Sequence, residues 1–548
     1  MSDGTGSASR HHHGSLWGAF EAVVEAGRVV ATEPFDQDEA PSELLRSIPD
    51  AVHSESRIDQ PYVRAGWLEE GPGGRRERRG AEPFVPVPWD EALDMLADEL
   101  ARVRSEYGNT AIYAGSYGWA SAGRLHRANA QLHRFLNMMG GFTGSVQSYS
   151  VAAAIQILPH VTGSFGATIG GMTSWDGIVQ DCELFVAFGG LPVRNDQVGS
   201  AGAATHELEP WLRKTGEAGV RFVNVSPHRE DMPAFLEPEW LAPRPNTDTA
   251  LMLGLAHTLV AEGLHDTEFL ARYTVGYEGF EAYLMGRADG QAKDAAWAGA
   301  IAGIAPEAIL ELARRMAAHR TMVTASYSLQ RGEHGEQPFW MTVTLAAMLG
   351  QIGLAGGGFG LGYGSIAGIG MPRGPIVVPR LPPGENATGS FIPVARVADM
   401  LLEPGASYDF DGERRTYPDI RLVYWAGGNP FHHHQDLNRL ITAWQRPETI
   451  VVHEPWWTAT ARHADIVLPA TTTLERNDIG AGDRDRFVVA MHRAIAPVGE
   501  ARNDRDIFAG LAERLGFAET FTEGRDEMAW LRHLYDVARQ QAAQHDLT

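Results

Sequence analysis

The clearest periodic pattern along the chain lies between Trp89 and Tyr107. Apolar side chains recur there at helical spacing, as at Leu93, Leu96 and Leu100. Gly108 follows at once and is a common helix stop. The pattern therefore predicts an amphipathic helix over 89–107, with its apolar face packed on a sheet.

Beyond this helix, short apolar runs rich in β-branched residues recur at intervals. Continuous apolar runs of this length are typical of strands that are buried on both faces. They lie at 111–116, 183–189, 220–226, 321–328, 421–426 and 449–453. Because they alternate with helical stretches, the sequence predicts an α/β protein built from parallel sheets.

The pattern also predicts how the chain divides into regions. Residues 1–70 are irregular and contain several prolines, which favours a small strand-rich N-terminal region. The prolines and glycines of Met371 to Asn386 indicate a connection between two larger units. His11 to His13 stand in a Gly/Ser-rich start that is typical of a disordered tail.

Length and charge restrict the class of protein. A chain of 548 residues is too long to fold around a single hydrophobic core, so several packed units are expected. The net charge of −23 repels nucleic acid and anionic membrane surfaces, so neither is an expected partner. No apolar run of about 18 residues and no signal-like start occurs, so we expect no membrane insertion and a cytoplasmic protein.

Several common chemistries are excluded by direct inspection. The sequence contains no GxxxxGK[ST] loop, no HExxH and no GxSxG, and the glycine run at 356–364 does not satisfy GxGxxG. That run is either a tight turn or a place where backbone approaches a ligand. Cys182 is the only cysteine, which excludes disulfides, cysteine-ligated zinc and cysteine-ligated iron–sulfur clusters within the chain.

Long blocks of sequence carry a family resemblance. The blocks include Tyr-Ala-Gly-Ser-Tyr-Gly-Trp-Ala-Ser from 113, Ser-Tyr-Ser-Val from 148, Arg-Pro-Asn-Thr-Asp from 244 and Gly-Gly-Asn-Pro-Phe-His-His-His-Gln-Asp from 427. A further block runs from Trp457 to Asp478. Together they resemble the dimethyl sulfoxide reductase family of molybdopterin oxidoreductases, in particular its biotin and dimethyl sulfoxide reductases.

The resemblance implies a protein ligand for molybdenum. In that family a serine coordinates the metal, and by position this is Ser150. A deprotonated serine is a hard oxygen donor that suits a high-valent oxo metal. Without the family, Ser150 is a helix N-cap before the run Ala152-Ala-Ala. The residue two positions earlier is usually aspartate in the relatives but is Ser148 here, which alters the surroundings of the ligand.

Two aromatic residues match the pair that flanks the reacting oxygen in the family. These are Tyr117 and Trp119, whose hydroxyl and indole N–H groups can donate hydrogen bonds to the transferred oxygen. We expect both to be catalytic together with Ser150. Tyr117 favours sulfoxide substrates, since N-oxide reductases of the family tend to lack this residue. The alternative is an aromatic pair packed in a core turn.

The resemblance further implies a bis(molybdopterin guanine dinucleotide) cofactor held by both α/β domains. The molybdopterin-binding domain is then 71–165 with 375–548, and the dinucleotide-binding insertion is 166–374. By matched position, cofactor binding falls on Trp119, Ala120, Ser121, Arg194, Asn195, Ser226, Asn246, Thr247, Asp248, Arg331, Asn429, His433, Glu454 and Asp478. Asp248 is an equally good helix-capping residue. The histidines at 432–434 cannot all face one point, so nucleotide contact by one of them is favoured over a metal site.

The implied reaction is molybdenum-dependent reduction of a sulfoxide (biotin, methionine or dimethyl sulfoxide class) or an N-oxide. Electrons would come from an external donor, a flavoprotein or a cytochrome. Relatives continue beyond the position of Thr548 into a further domain that covers the pterins. The sequence therefore leaves open a fragment, a separate chain that supplies this domain, a non-catalytic cofactor-binding or assembly protein, and a non-redox molybdenum hydroxyltransferase.

Overall fold

The computed structural model describes residues 8–117, 121–372, 376–480, 482 and 485–545. Its strands follow in chain order: β1 (Ser9–Ser15), β2 (Gly18–Glu25), β3 (Arg28–Pro34), β4 (Tyr62–Arg64), β5 (Phe84–Pro86), β6 (Ile112–Gly115), β7 (Gly144–Val146), β8 (Leu184–Phe188), β9 (Arg221–Val225), β10 (Glu239–Leu241), β11 (Thr321–Ala325), β12 (Gly358–Leu361), β13 (Phe391–Pro393), β14 (Ser407–Phe410), β15 (Glu413–Thr416), β16 (Leu422–Ala426), β17 (Thr449–Glu454), β18 (Ile466–Pro469), β19 (Asp478–Gly480) and β20 (Val489–Met491).

The α-helices lie between and after these strands. In chain order they are α1 (Ile48–Val52), α2 (Ala65–Glu70), α3 (Trp89–Tyr107), α4 (Ala128–Met139), α5 (Ala152–Thr162), α6 (Phe165–Gly170), α7 (Trp175–Asp181), α8 (Leu208–Glu217), α9 (Asp248–Ala261), α10 (Thr267–Tyr273), α11 (Tyr277–Leu284), α12 (Ala295–Ala302), α13 (Pro306–Ala318), α14 (Gln337–Met348), α15 (Val397–Leu402), α16 (Leu437–Trp444), α17 (Ala459–Arg462), α18 (Asp504–Arg514), α19 (Ala518–Thr522) and α20 (Glu527–Gln544).

The chain divides into two compact units. Unit 1 comprises Met1–Tyr149, Val198–Thr205 and Gly374–Thr548, and unit 2 comprises Ser150–Gln197 and His206–Arg373. The division falls at 149/150, where the sequence predicted a boundary at 165/166. The physical reason lies in α5, whose Ala154 and Leu158 pack with Phe339 and Leu361 of unit 2. The second boundary, at 373/374, falls beside the predicted one at 374/375.

Unit 1 is built on a six-stranded sheet in the order β5-β4-β18-β17-β16-β6. The four strands from β18 to β6 are parallel, and β4 and β5 are antiparallel additions at one edge. Alternate residues of each strand enter opposite cores: Leu422 and Tyr424 pack on one face, and Val423 and Trp425 on the other. Helix α3 covers the first face through Leu96 and its neighbours. The helix predicted over 89–107 is therefore confirmed.

Unit 2 is built on a five-stranded parallel sheet in the order β10-β9-β8-β11-β12. It too is buried on both faces, since Leu184 and Val186 face one core while Phe185 and Ala187 face the other. Burial on both sides explains why these strands appear in the sequence as unbroken apolar runs. The six predicted strands are all present, and the prediction of parallel-sheet α/β domains is confirmed.

The N-terminal region is strand-rich, as predicted, but its histidines are not a disordered tail. β1, β2 and β3 form an antiparallel sheet, and His11 to His13 lie within β1. His13 is fully buried, and its Nε2 lies 2.8 Å from the backbone oxygen of His492. Pairing with β2 overrides the Gly/Ser composition that favoured disorder. This region packs within unit 1.

The glycine run at 356–364 also differs from the sequence interpretation. It contains the edge strand β12, which pairs only with β11 among the described strands. A turn follows at Gly362, whose φ of 79° favours glycine.

Across the described residues, no single helix has the length and apolarity to cross a membrane. The pair α12 and α13, bent by 117° at its break, meets those two criteria jointly.

Candidate functional site

Tyr117 stands at the carboxyl end of the unit 1 sheet, directly after β6. Its amide donates to the backbone oxygen of Gly427, at the end of the neighbouring strand β16, at 2.9 Å. A Cβ on Gly428 would lie 2.6 Å from the Cβ of Tyr117, and the φ of Gly428 is 84°. The ring packs edge-on against Trp425 and His433. Backbone and packing thus hold the phenol where parallel α/β sheets bind their ligands.

The hydroxyl of Tyr117 belongs to a chain of three side chains. It lies 2.6 Å from Nε2 of His434, and Nδ1 of that histidine lies 2.8 Å from the hydroxyl of Tyr149. Burial and the neighbouring His433 lower the pKa of His434 to about 4, so its imidazole is neutral at physiological pH. Burial raises the pKa of both phenols above the ordinary range, which keeps them protonated.

Asp478 fixes the loop that precedes α4. Its carboxylate accepts hydrogen bonds from the backbone amides of Arg124 at 3.0 Å, Leu125 at 2.9 Å and His126 at 3.1 Å. The amide of Ile479 adds another at 2.8 Å. These bonds occupy both oxygens. The geometry therefore gives Asp478 a clear part in holding the segment that begins at Ser121, whose hydroxyl accepts from the amide of Ala128 at 3.4 Å.

Asn429 follows β16, and Glu454 is the last residue of the neighbouring strand β17 in unit 1. The side-chain oxygen of Asn429 accepts from the amide of Phe431 at 3.2 Å and from the hydroxyl of Thr460 at 2.5 Å. Glu454 is only 7% exposed at the last position of β17. Burial raises the pKa of its carboxyl to about 8, against the backbone amide of Trp456, which favours the carboxylate. Glu454 is therefore mostly protonated near neutral pH and can donate a hydrogen bond.

In unit 2, Asp231 joins two predicted residues that follow neighbouring strands. Arg194, after β8, donates to one carboxylate oxygen of Asp231 at 2.5 Å, and Ser226, after β9, donates to the other at 2.5 Å. The guanidinium side chain of Arg194 is still 62% exposed. Asn195 donates to the backbone oxygen of Gly364 at 3.1 Å. The exposed guanidinium of Arg194, held at the end of the sheet by Asp231, is a suitable donor for an anionic group.

Asn246 and Asp248 line a groove of about 1820 Å³ in unit 2. Asp248 begins α9, and burial raises the pKa of its carboxyl to about 6. Thr247 donates to the backbone oxygen of Arg244 at 2.6 Å. Arg331 ends the 3-10 turn after β11, and a Cβ on the next residue, Gly332, would collide with the side chain of Asn246. The predicted residues after β11 and before α9 are thus neighbours.

Ser150 is exposed and opens unit 2. Helix α5 begins at Ala152, and its N-cap residue is Val151. The structure therefore removes the capping interpretation of Ser150. The serine precedes a helix whose Ala154 and Leu158 are fully buried, so its backbone is anchored while its side chain remains accessible.

Comparison with known proteins then decides the family. The family model described as molybdopterin oxidoreductase matches residues 57–514, and the model of the N-terminal domain of that family matches residues 13–53. The chain belongs to the molybdopterin oxidoreductase family. The predicted family, the oxidoreductase class and a molybdenum–molybdopterin cofactor are confirmed at this level.

Curated relatives of this molybdopterin oxidoreductase cover nearly all of the chain. Biotin sulfoxide reductase of Cereibacter sphaeroides is 52% identical over 94% of this chain and 69% of its own length. Dimethyl sulfoxide/trimethylamine N-oxide reductase of the same organism is 48% identical over 96% of this chain and 66% of its own. Trimethylamine-N-oxide reductase of Haemophilus influenzae is 44% identical over 95% and 65%. The chain thus spans about two thirds of the length of these relatives.

Among solved structures, acetylene hydratase from Pelobacter acetylenicus shares the fold. Its TM-score is 0.65 at 18% identity, and the match covers 93% of this chain and 70% of that one. At this identity the likeness shows the fold alone.

The residues of this molybdopterin oxidoreductase fit a pterin cofactor. Glu454 and Asp248 are buried carboxyls whose raised pKa values reflect surroundings that do not compensate a negative charge. Such groups suit the hydrogen-bonding edge of a pterin or guanine, because a heterocycle of this kind presents N–H donors and ring acceptors. The exposed guanidinium of Arg194 supplies the cationic donor that a phosphate requires.

Two predicted residues lie outside the described part of the chain, and the structure adds residues that the sequence interpretation missed. Trp119 and Ala120 lie outside the described residues. The sequence interpretation chose His433 from the histidine triplet, and His433 packs against the ring of Tyr117. It did not choose His434, which is buried and lies within hydrogen-bond distance of the Tyr117 hydroxyl. It also missed Tyr149, although this residue stands beside Ser150 in the block that carried the resemblance. Asp231 gave no signal, since a lone aspartate in a loop matches no motif.

Proposed function

We propose that this chain catalyses molybdenum-dependent oxygen-atom transfer, in which a sulfoxide or N-oxide is reduced. The observation that carries the proposal is the set of relatives named for these reactions, each matched over at least 94% of this chain. When bound, the molybdenum cofactor supplies the two-electron and oxygen-atom exchange. The remaining tasks fall to the residues of the chain.

Ser150 is proposed as the protein ligand of the metal. Its accessible hydroxyl stands on backbone anchored by α5, which holds an oxygen donor in place without a flexible stem. No other protein ligand is needed for the proposal. Of the described residues, no three His, Cys, Asp or Glu side chains gather as a metal site.

Tyr117 and Trp119 are proposed to donate hydrogen bonds to the oxygen of the substrate. The raised pKa of Tyr117 preserves its proton, and its ring is fixed by Trp425 and His433. A preorganised donor of this kind stabilises charge that develops on oxygen as its bond to sulfur or nitrogen breaks.

The cofactor is proposed to be the guanine dinucleotide form, with two copies bound. Each unit presents polar groups at the carboxyl ends of its parallel strands, which is the usual place for a dinucleotide. The residues proposed to bind are Ser121, Asn429, His433, Glu454 and Asp478 in unit 1, and Arg194, Asn195, Ser226, Asn246, Thr247, Asp248 and Arg331 in unit 2. Trp119 and Ala120 complete the set.

The wider setting of the reaction is also a proposal. Cys182, the single cysteine, is buried, and burial raises the pKa of its thiol to about 12, which suits an inert core residue. A chain with one cysteine cannot hold a cysteine-ligated iron–sulfur cluster that would deliver electrons. We therefore propose an external electron donor, a flavoprotein or a cytochrome. We also propose that a further domain, on this polypeptide or a separate chain, covers the cofactor, and that the protein works in the cytoplasm.

The test is reduced-viologen oxidation by cofactor-loaded protein with dimethyl, methionine and biotin sulfoxides and trimethylamine N-oxide. We expect turnover with at least one of them and its loss in Ser150→Ala. The matched control is Ser174→Ala, since Ser174 is likewise a serine at a helix start, the N-cap of α7. Metal-replete protein that oxidises viologen with none of these substrates contradicts the proposed reaction and favours non-redox hydroxyl transfer. A preparation that retains little molybdenum favours the cofactor-binding or assembly role.

A further inference from the structure

The hydroxyl of Tyr117 meets a single described partner, Nε2 of His434 at 2.6 Å. The ring of Tyr117 is fixed independently, by its amide bond to Gly427 and by edge-on packing on Trp425 at 5.3 Å and His433 at 4.5 Å between centroids. The direction of the Tyr117 hydroxyl hydrogen therefore depends on whether Nε2 of His434 accepts or donates the hydrogen bond.

His434 is placed so that both of its ring nitrogens are used. Its side chain is buried, and its Nδ1 lies 2.8 Å from the hydroxyl oxygen of Tyr149. The same hydroxyl lies 3.2 Å from Oε1 of Gln435 and 3.4 Å from the backbone oxygen of Val394. Because the imidazole is neutral, one nitrogen donates a hydrogen bond and the other accepts one.

Two hydrogen arrangements satisfy this geometry. In the first, Tyr117 donates to Nε2, Nδ1–H donates to Tyr149, and Tyr149 donates to Gln435 or Val394. In the second, Tyr149 donates to Nδ1 and Nε2–H donates to the oxygen of Tyr117. Only the second arrangement leaves the hydrogen of Tyr117 available to a substrate. The tautomer of His434 therefore decides whether Tyr117 can act as a donor.

We propose that His434 is a positioning residue, which donates Nε2–H to Tyr117 and so directs the Tyr117 hydroxyl hydrogen to the substrate oxygen. The inference deepens the proposed function and rests on it for the identity of that oxygen. A phenol that accepts a hydrogen bond is polarised and becomes a better donor, so the bond from His434 both orients and strengthens it. Tyr149 acts in the same chain by holding the tautomer through Nδ1.

The first test needs no turnover. The full-length chain is labelled with 3-fluorotyrosine, and among its 14 tyrosine signals those of residues 117 and 149 are identified by their loss in Tyr117→Phe and Tyr149→Phe. We expect His434→Phe to shift both fluorine signals, because both hydroxyls lose a partner. The control His432→Gln, an exposed neighbour, should shift neither. An unshifted Tyr117 signal in His434→Phe overturns the inference, whether or not the chain is a reductase.

The second test uses cofactor-loaded protein. Loss of one preorganised donor typically costs about 10²-fold in kcat, so Tyr117→Phe should fall by roughly this factor. His434→Phe should approach the same value at little change in KM, and the double variant should add little, because both changes remove one interaction. His434→Gln keeps an amide donor near the position of Nε2 and should recover most of kcat. Additive losses, or no recovery by glutamine, contradict the positioning role.

The two proposals fail in different ways. Wild-type protein that reduces no sulfoxide or N-oxide refutes the proposed function and leaves the fluorine result to decide the contact. Wild-type protein that turns over, with normal kcat in His434→Phe, refutes the positioning role alone. If His434→Phe does not fold, His434→Gln takes its place in both tests. Its Tyr117 fluorine signal should stay close to the wild-type position, and it should keep most of kcat. Failure of either expectation counts against the inference.

Discussion

At the residue scale, the least expected feature is a pair of buried acids, Glu454 and Asp248, that form no ion pair with any cation among the described residues. Glu454 ends β17 and Asp248 begins α9, and burial raises the pKa of both, to about 8 and about 6. A buried charge is costly, so a protein keeps such acids where they donate or accept a specific hydrogen bond. Their presence at strand and helix ends is consistent with cofactor contact.

The free energy of unfolding should depend on the ionisation of Glu454. Its folded pKa lies above the ordinary 4.5, so the folded state binds this proton more tightly and loses stability as pH rises from about 4.5 to about 8. Glu454→Gln cannot ionise and should be more stable than wild type at pH 9, by up to a few kcal/mol. At pH 4 the difference should shrink.

Urea unfolding at both pH values measures this effect. The control is Glu91→Gln, an exposed position on α3, which should show no comparable dependence. A pH-independent difference between Glu454→Gln and wild type contradicts the account of this residue.

At the element scale, one carboxylate binds three successive backbone amides just before α4. Asp478 lies more than 350 residues away along the chain and accepts hydrogen bonds from the backbone amides of Arg124, Leu125 and His126. Gly123 must be a glycine, since its φ is 97° and a Cβ there would collide with Asp478. The segment that carries Ser121 is therefore preset before any cofactor binds.

Asp478→Asn should destabilise the protein by about 1–3 kcal/mol. The amide keeps one accepting oxygen and loses the other, so at least one of the buried backbone amides is left without its acceptor. Thermal or urea unfolding checks this against Asp90→Asn, whose side chain is 89% exposed and should cost well under 1 kcal/mol. Equal, small effects of the two substitutions would show that Asp478 does not hold this segment.

Elements and contacts differ in how far the sequence predicts them. Buried strands such as β8 and β16 were predictable because burial on both faces leaves an unbroken apolar run. β12 was not, since an edge strand rich in glycine carries no such pattern. The contact between Tyr117 and His434 spans 317 residues and follows from the order of the strands, which local sequence does not encode. The family resemblance supplied Tyr117 and Ser150, and the structure supplied the partner of Tyr117.

At the scale of the whole molecule, buried ion pairs join distant parts of unit 1. Asp465 precedes β18 and accepts from Nε of Arg64 at 2.8 Å and Nε of Arg79 at 3.0 Å, and all three side chains are almost fully buried. Its carboxylate also accepts from the amide of Ile450 at 2.8 Å. The N-terminal part of the unit is thereby fixed to the central sheet.

Asp465→Asn should destabilise the chain by about 3–5 kcal/mol, because it leaves the buried guanidinium of Arg79 without its counter-charge and removes one of the two carboxylates that pair with Arg64. Arg213→Gln removes an exposed pair with Glu209 within α8 and should cost no more than about 0.5 kcal/mol. Unfolding in urea separates the two cases. A cost below 1 kcal/mol for Asp465→Asn would show that the pair does not join these segments.

The central claim is that Ser150 binds molybdenum through its side-chain oxygen, and molybdenum K-edge X-ray absorption of the cofactor-loaded protein tests it most directly. The account predicts about one molybdenum per chain and a light-atom ligand that is lost in Ser150→Ala and retained in Ser174→Ala. A molybdenum spectrum that is unchanged in Ser150→Ala would contradict it.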